Sequence, residues 1–370
     1  MKQGKVHISL FFGANDFNNQ KEKIMLDWLQ FWITDHKEVL RLWDNPLLYF
    51  KENHKKRNDR TGEIFNKQTK EFKGITFRLE PHWPKNEKEG NKRIVIGFKP
   101  HYWFNNNKHN ANDFTLSNSM QIILGFIGLF EIENLRNYQV NNLEYGVNFI
   151  INGYSKELIT FNSYHSRKQF IQDDLRYSKK AINFNPKTGK VDTYLKVKLY
   201  SKGFQFPNYC DNRTLRFEIS TKKSKKINAL GIYNIGDLLK EDVYFAMKKD
   251  LLTAAKNVLI INPTPILKQL NKREENLLQK YSNDRFWYNA INQKRPNAFN
   301  EKKQTYFRYL DQIGQNISKD FYNAIDNKLQ LLFKQNGNES PGFLNNENGN
   351  YSHLVNVGIV TDKTMINYTV

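Results

Sequence analysis

Three short segments of this chain place an apolar residue at every second position, and that period of two constrains the fold more than any other feature. Over 143–151 the apolar set is Leu143, Tyr145, Val147 and Phe149. Over 193–200 it is Leu195, Val197 and Leu199, and over 214–220 it is Leu215, Phe217 and Ile219. Successive strand side chains point to opposite faces, so this pattern describes an antiparallel sheet with one face on helices and the other polar. Residues 74–83 and 93–103 are also β-rich, and the turn-like 84–92 between them predicts a hairpin.

The rest of the chain fills in around that sheet. A short strand is expected at 6–12 and an amphipathic helix over 20–36, while 51–73 is charge-dense and reads as a surface excursion. A helix over 116–131 takes Thr115 or Ser117 as its cap. From about residue 234 the chain reads as helical, through 235–250, 265–281 and two further stretches to 334. After 335 it is Asn- and Gly-rich, with strand propensity only near its end. The expected fold class is therefore α+β: an antiparallel sheet flanked by helices, with a helical C-terminal region. The domain division is expected near 255, giving an α+β domain over 1–255 and a helical DNA- or partner-binding region over 256–370.

Composition narrows the function. Lys and Arg total 57 against 37 Asp and Glu, a formal net charge of +20. A surface that basic attracts polyanions, nucleic acid first and an anionic membrane face second, although an AT-rich genome also inflates Lys and Asn. An aromatic share of 14% argues against a disordered basic tail. One cysteine, Cys210, excludes an internal disulfide and suits a reducing compartment. No signal-peptide core opens the chain, and the longest apolar run, 120–130, is too short to span a bilayer. The expectation is a soluble protein of the bacterial cytoplasm with no membrane partner. No phosphate loop, zinc-finger array or G-x-S-x-G elbow is present, which sets aside ATP-driven motors, zinc fingers and serine hydrolases.

The polar faces of the three alternating segments carry the chemistry. They present Glu144, Gly146 and Asn148, then Tyr194, Lys196, Lys198 and Tyr200, then Thr214, Arg216, Glu218 and Ser220. On one sheet these bring two carboxylates, several cations and two phenols together, and Gly146 leaves room for a ligand. Two carboxylates hold a hard divalent cation such as Mg²⁺ or Mn²⁺, which polarises a phosphate. A tyrosine then attacks phosphorus and keeps the DNA end covalently. The plainer alternative is an amphipathic sheet whose outer face is merely solvated. His101 and His109, eight residues apart, are further metal candidates, though their spacing matches no standard motif.

The order of these pieces resembles the replication initiators of filamentous phages, the gene-two type, and more distantly the rolling-circle plasmid Rep proteins. The matching residues are His101, Lys108-His109-Asn110, the stretch from Asn142 to Phe149, Leu195-Lys196-Val197-Lys198-Leu199-Tyr200-Ser201-Lys202 and Leu215-Arg216-Phe217-Glu218-Ile219, followed by Lys222-Lys223-Ser224 and Leu230-Gly231-Ile232. The resemblance covers roughly 75–240. It implies a Rep/HUH-like sheet, Tyr200 as nucleophile, Lys202 as a phosphate contact, and Glu144, Glu218 and His109 as metal ligands. The H-x-H pair of many rolling-circle initiators is missing. Tyr194, six residues before Tyr200 on the same face, is an alternative nucleophile. Lys196, Lys198, Arg216, Lys222 and Lys223 are the expected DNA contacts.

What the resemblance implies is a rolling-circle initiator that nicks one strand of a DNA origin through a phosphotyrosine and religates it, with host helicase and polymerase as partners. A relaxase or transposase using the same chemistry, or a non-catalytic basic DNA-binding protein, are the alternatives.

Overall fold

A computed structural model describes residues 25–333, except 58–61, 63, 83–90, 152, 154–155, 173–179, 186–189, 192, 268, 292–294 and 296, together with two short strands near the C-terminus. Its centre is an antiparallel sheet. In chain order the strands are Met25–Ile33 (β1), Tyr49–Arg57 (β2), Ile64–Phe72 (β3), Ile75–His82 (β4), Asn91–Phe98 (β5), Gln139–Phe149 (β6) and Asn162–His165 (β7). Lys168–Gln172 (β8), Lys180–Asn185 (β9), Lys190–Val191 (β10), Lys196–Ser201 (β11), Leu215–Thr221 (β12) and Val258–Ile260 (β13) complete it. Across the sheet the order is β13-β7-β8-β9-β11-β12-β6-β1-β5-β4-β3-β2, with β10 on β9.

The helices are His36–Trp43 (α1), Pro100–Phe104 (α2), Leu116–Leu129 (α3), Lys156–Phe161 (α4), Lys202–Gln205 (α5) and Ser224–Asn228 (α6). After them come Glu241–Lys256 (α7), Lys272–Tyr281 (α8), Asp284–Ile291 (α9), Ala298–Gln312 (α10) and Ile317–Phe333 (α11). The α+β class and the antiparallel sheet flanked by helices are as the alternation predicts.

The three alternating segments become β6, β11 and β12, adjacent in the sheet with β12 in the middle. Their apolar residues are buried and face α7 and α11. Phe321 of α11 meets Phe149 and Phe217 edge-on, with centroids 5.6 and 5.3 Å apart. The Tyr145 hydroxyl donates to Asp250 of α7 at 2.5 Å, which gives the one polar atom of that apolar row a partner. Each fully buried Phe, Leu or Ile here adds roughly 1.5–3 kcal/mol of transfer free energy, so this face anchors the middle of the sheet. After residue 255 the chain splits its contacts. Ile317, Phe321, Ile325 and Leu329 of α11 join the main core, while α8–α10 build a second apolar cluster around Trp287, Tyr306, Tyr164 and Leu259.

Several local expectations are corrected. Residues 25–33 form strand β1 rather than the middle of a helix, and the strand expected at 6–12 lies outside the described residues. The charge-dense 51–73 is a hairpin of β2 and β3 at the sheet edge. β2 is almost wholly exposed, so pairing rather than burial defines it, and its lysines suit an edge that must not recruit another strand. His101 lies on α2, where Pro100 occupies the first turn, and not on a strand. The β4–β5 pairing is as predicted, though much of its turn lies outside the described residues. Helix α3 follows the expected Thr115 cap, whose hydroxyl accepts from the Asn118 amide at 2.8 Å. Helix α8 begins later than expected because Asn271 and Glu274 form a reciprocal capping box.

Gly146 does not leave room for a ligand. A Cβ built there would lie 2.6 Å from the Phe217 carbonyl oxygen and 3.1 Å from the Glu218 Cα, so its bareness lets β12 come close. Gly146→Ala is expected to lower stability by about 1–3 kcal/mol through overpacking. Urea denaturation checks this, and an unchanged midpoint would refute the close-packing argument.

Candidate active site

Strand register builds the site. Lys198 pairs with Glu218, which pairs with Gly146; Tyr200 pairs with Arg216, which pairs with Asn148; Lys196 pairs with Ser220, which pairs with Glu144. Polar residues of one parity therefore stand side by side on three neighbouring strands. A fourth strand adds an acid. β1 pairs with β6 through Leu26–Tyr145 and Trp28–Glu144, with a bulge between, and Asp27 is the extra residue in that bulge.

Most of these groups are buried, and they hold one another. Lys198 Nζ lies 2.5 Å from Glu144 Oε2 and also binds Glu218 Oε1. The other oxygen of Glu218 accepts from the Tyr200 hydroxyl at 2.9 Å. Arg216 is completely buried. It binds Asp27 and the Asn110 carbonyl, and donates to Asn148 Oδ1 at 2.8 Å. Asn110 Nδ2 donates to Asp27 at 3.1 Å, and Asn148 Nδ2 donates to the Ala111 carbonyl at 2.7 Å. The 105–115 segment is thus tied to the sheet through two asparagines.

The crowding divides the acids electrostatically. Burial would raise Asp27, but the Arg216 charge outweighs it and holds the carboxyl far below its ordinary range. Burial likewise opposes ionisation of Glu144, yet Lys198 keeps it lowered. Glu218 goes the other way: burial and the neighbouring Glu144 charge push it up to about 8, despite Lys198. Two carboxylates sharing one ammonium separate in this manner because the more enclosed one bears the desolvation. Tyr200 is pushed well above the usual phenol range by burial and by Glu218. Lys202 falls to about 6 through burial and the Arg216 charge. Its ammonium nitrogen contacts Gln205 Oε1 at 2.7 Å and lies over the rings of Tyr200 and Phe206, 5.2 and 4.9 Å from their centroids.

Asp27, Glu144 and Glu218 offer oxygens within 4.8 Å of one another, and among the described residues they are the one group of His, Cys, Asp and Glu that close together. Three hard oxygen donors suit Mg²⁺ or Mn²⁺. His101 adds an independent sign. Its Nε2 faces Asn112 Oδ1 at 2.8 Å, which makes Nε2 the protonated nitrogen. Its buried Nδ1 then presents a bare lone pair 3.5 Å from Asp27 Oδ1, with no hydrogen-bond partner. Burial lowers the imidazole below its usual range. An orphaned nitrogen beside Asp27 fits a polar site opening on the three acids, two of which the Lys198 ammonium already neutralises.

The other residues singled out from sequence are more dispersed. His109 is not in the acid cluster; it stacks on Tyr209 with centroids 4.0 Å apart. Tyr194 is exposed, outside the start of β11. Arg216 and Lys198, expected as DNA contacts, are buried counter-ions to Asp27 and to Glu144 and Glu218. Lys222 and Lys223 are exposed just beyond β12, and Lys196 is half-buried. Sequence reasoning missed Asp27 and Asn110. The alternation of Leu29, Phe31 and Ile33 was the available signal for β1.

No protein-family model and no curated protein sequence matches the chain. Among solved structures, the rolling circle replication initiator protein from Geobacillus stearothermophilus is similar at 14% identity and a TM-score of 0.34, over 73% of this chain and 95% of that one. At that level the likeness fixes neither family nor activity.

Two outcomes follow from the electrostatics. Removing one side of the buried Asp27–Arg216 pair strands a charge, so Arg216→Gln should cost about 3–5 kcal/mol in denaturant titrations; a loss below about 1 kcal/mol would show that the pair is not enclosed. Glu218 has its folded pKa raised above the unfolded glutamate value of about 4.3. The folded state then keeps a proton the unfolded chain has lost, and the contribution of Glu218 declines as pH rises toward about 8. Lys202, lowered to about 6, acts in the opposite sense above that pH. In EDTA, wild type should therefore lose stability relative to Glu218→Gln between about pH 5 and pH 8, measured by melting temperature. A constant difference across that range would contradict the raised pKa.

Proposed function

We propose that the chain is a rolling-circle replication initiator that nicks one DNA strand at Tyr200 and religates it. The observation that carries this reading is the Tyr200 hydroxyl held 2.9 Å from Glu218 within a cluster of three carboxylates. The Glu218 carboxylate, which accepts the Tyr200 hydroxyl hydrogen bond, is placed to take the phenol proton. The Tyr200 oxygen then bonds to phosphorus, the bond from phosphorus to the 3′ oxygen breaks, that oxygen takes a proton from water, and the strand leaves with a free 3′-hydroxyl that a host polymerase extends. The enzyme keeps a 5′-phosphotyrosyl end, and reversal of the same step reseals DNA.

Asp27, Glu144 and Glu218 are the residues that would hold a divalent cation, with His101 standing behind Asp27. A bound cation supplies Lewis-acid polarisation of the scissile phosphate. Lys198 neutralises Glu144 and Glu218 in the absence of that charge, and Arg216 fixes Asp27 in its bulge. Lys202 lies against the Tyr200 ring, where a phosphate entering the site would restore its positive charge. Lys222 and Lys223 extend the basic surface past β12 toward the rest of the DNA origin.

One observation favours a rival. Lys198 already satisfies two of the carboxylates, as expected of a closed ion-pair network in a non-catalytic DNA-binding protein. Supercoiled DNA carrying the chain's own replicon, incubated with Mn²⁺, separates the two readings. The nickase reading expects relaxed circles with protein covalently attached, no adduct with Tyr200→Phe, and adduct retained with Tyr194→Phe. Glu218→Gln should slow nicking by about 10²–10⁴-fold. No adduct with wild type, or an adduct that survives Tyr200→Phe, would overturn it.

A further inference from the structure

Beyond the acid cluster, one side of the site is built from rings. Lys202 lies over Tyr200 and over Phe206, so a single lysine side chain separates Phe206 from the phenol. Phe206 in turn meets Tyr102 edge-on at 6.2 Å and lies 6.4 Å from both His109 and Tyr209. His109 and Tyr209 stack at 4.0 Å with their planes 27° apart. These rings come from two separate segments, α2 with its following loop and the turn after β11.

The turn is held tightly enough for its rings to keep their places. Ser201 caps it, its hydroxyl accepting from the Phe204 amide at 3.1 Å. A Cβ on Gly203 would lie 2.3 Å from the Asn212 carbonyl oxygen, so only glycine lets the turn fold back on the 211–214 loop. Held this way, the turn still leaves Tyr209 46% and Phe204 54% exposed, far more than core aromatics. Both rings therefore offer solvent-facing surface to a partner.

The surroundings indicate what covers them. Lys99 sits over the Tyr102 ring at 5.3 Å, and Lys108 precedes His109 on the surface. Burial, with Lys202 and Lys108 nearby, lowers His109 below the usual imidazole range. Aromatic planes edged by lysines match the two parts of an unpaired nucleotide: bases stack on rings, and phosphates meet cations.

We propose that Tyr209, backed by His109 and Phe206, forms a stacking platform for unpaired bases of single-stranded DNA flanking the phosphate presented to Tyr200, with Phe204 a second exposed ring on the same turn for a further base. This rests on the nickase reading for its orientation toward Tyr200, but the platform itself can be tested without catalysis. His109 then serves DNA positioning through its ring, supporting Tyr209 from behind. The platform also explains how a nearly buried tyrosine meets its target: a base splayed onto Tyr209 draws the neighbouring phosphate along the Phe206–Lys202 side.

The test uses a fluorescein-labelled oligothymidine and a matched oligomer of abasic residues, each titrated with the full-length chain in EDTA, followed by anisotropy. Tyr209→Ala is expected to weaken oligothymidine binding on the order of tenfold, to leave abasic binding unchanged, and to keep the salt dependence of wild type. Tyr209→Trp should restore binding, and Phe204→Ala should reproduce the selective loss. Equal weakening of both oligomers, or no change with oligothymidine in either alanine variant, overturns the proposal. The nicking assay is read separately. An adduct with normal oligothymidine binding by Tyr209→Ala and Phe204→Ala refutes the platform and leaves the nickase. Selective loss without any wild-type adduct keeps a single-strand binding surface and refutes the nickase.

Discussion

A lysine ammonium shared by two enclosed carboxylates ties the centre of this molecule together. Lys198 reaches from β11 to Glu218 on β12 and to Glu144 on β6, so one cation spans three strands. Arg216 repeats the arrangement one register step along, reaching Asp27 on β1 and Asn148 on β6. Ion pairs this deep seldom add net stability compared with packed hydrocarbon, because each charge has lost its water. The opposite face of the same strands already supplies the packing, through Phe217, Phe149 and Phe321. The polar face thus links strands that packing on the other side already holds, and its charges stand where they can act on a ligand.

Considered together, the site grades from charge to aromatic surface. The acids lie deepest, Tyr200 borders them through Glu218, and Lys202 lies over Tyr200 and Phe206. The rings of His109 and Tyr209 follow, reaching solvent. On the reading proposed above, this order is the path of a single strand, with bases outside and phosphate inside. It requires two side-chain rearrangements: Lys198 leaving two carboxylates, and Lys202 exchanging Gln205 for a phosphate.

The sheet face was legible because period-two alternation survives in all three segments, and register then follows from keeping one face buried. Tyr200, Glu144 and Glu218 could be placed together from Leu143–Phe149, Leu195–Leu199 and Leu215–Ile219 alone. Asp27 was not legible. The bulge at Asp27 breaks the alternation between Leu26 and Leu29, and the flanking tryptophans at 28 and 32 fall four apart, mimicking a helix. The β2–β3 hairpin was hidden for a different reason: an exposed edge strand has no buried face and hence no apolar period. His109 was misplaced because a histidine beside lysine and asparagine carries no mark that distinguishes a metal ligand from one member of an aromatic stack. Arg216 and Lys198 looked like phosphate contacts because sequence gives charge but not depth.

The most direct test of the central claim is a crystal of the protein soaked in Mn²⁺ and measured at the manganese absorption edge. The account predicts an anomalous peak bounded by Asp27, Glu144 and Glu218, with Lys198 withdrawn from both glutamates. Well-ordered carboxylates still bridged by Lys198, and no peak among them at saturating Mn²⁺, would contradict it.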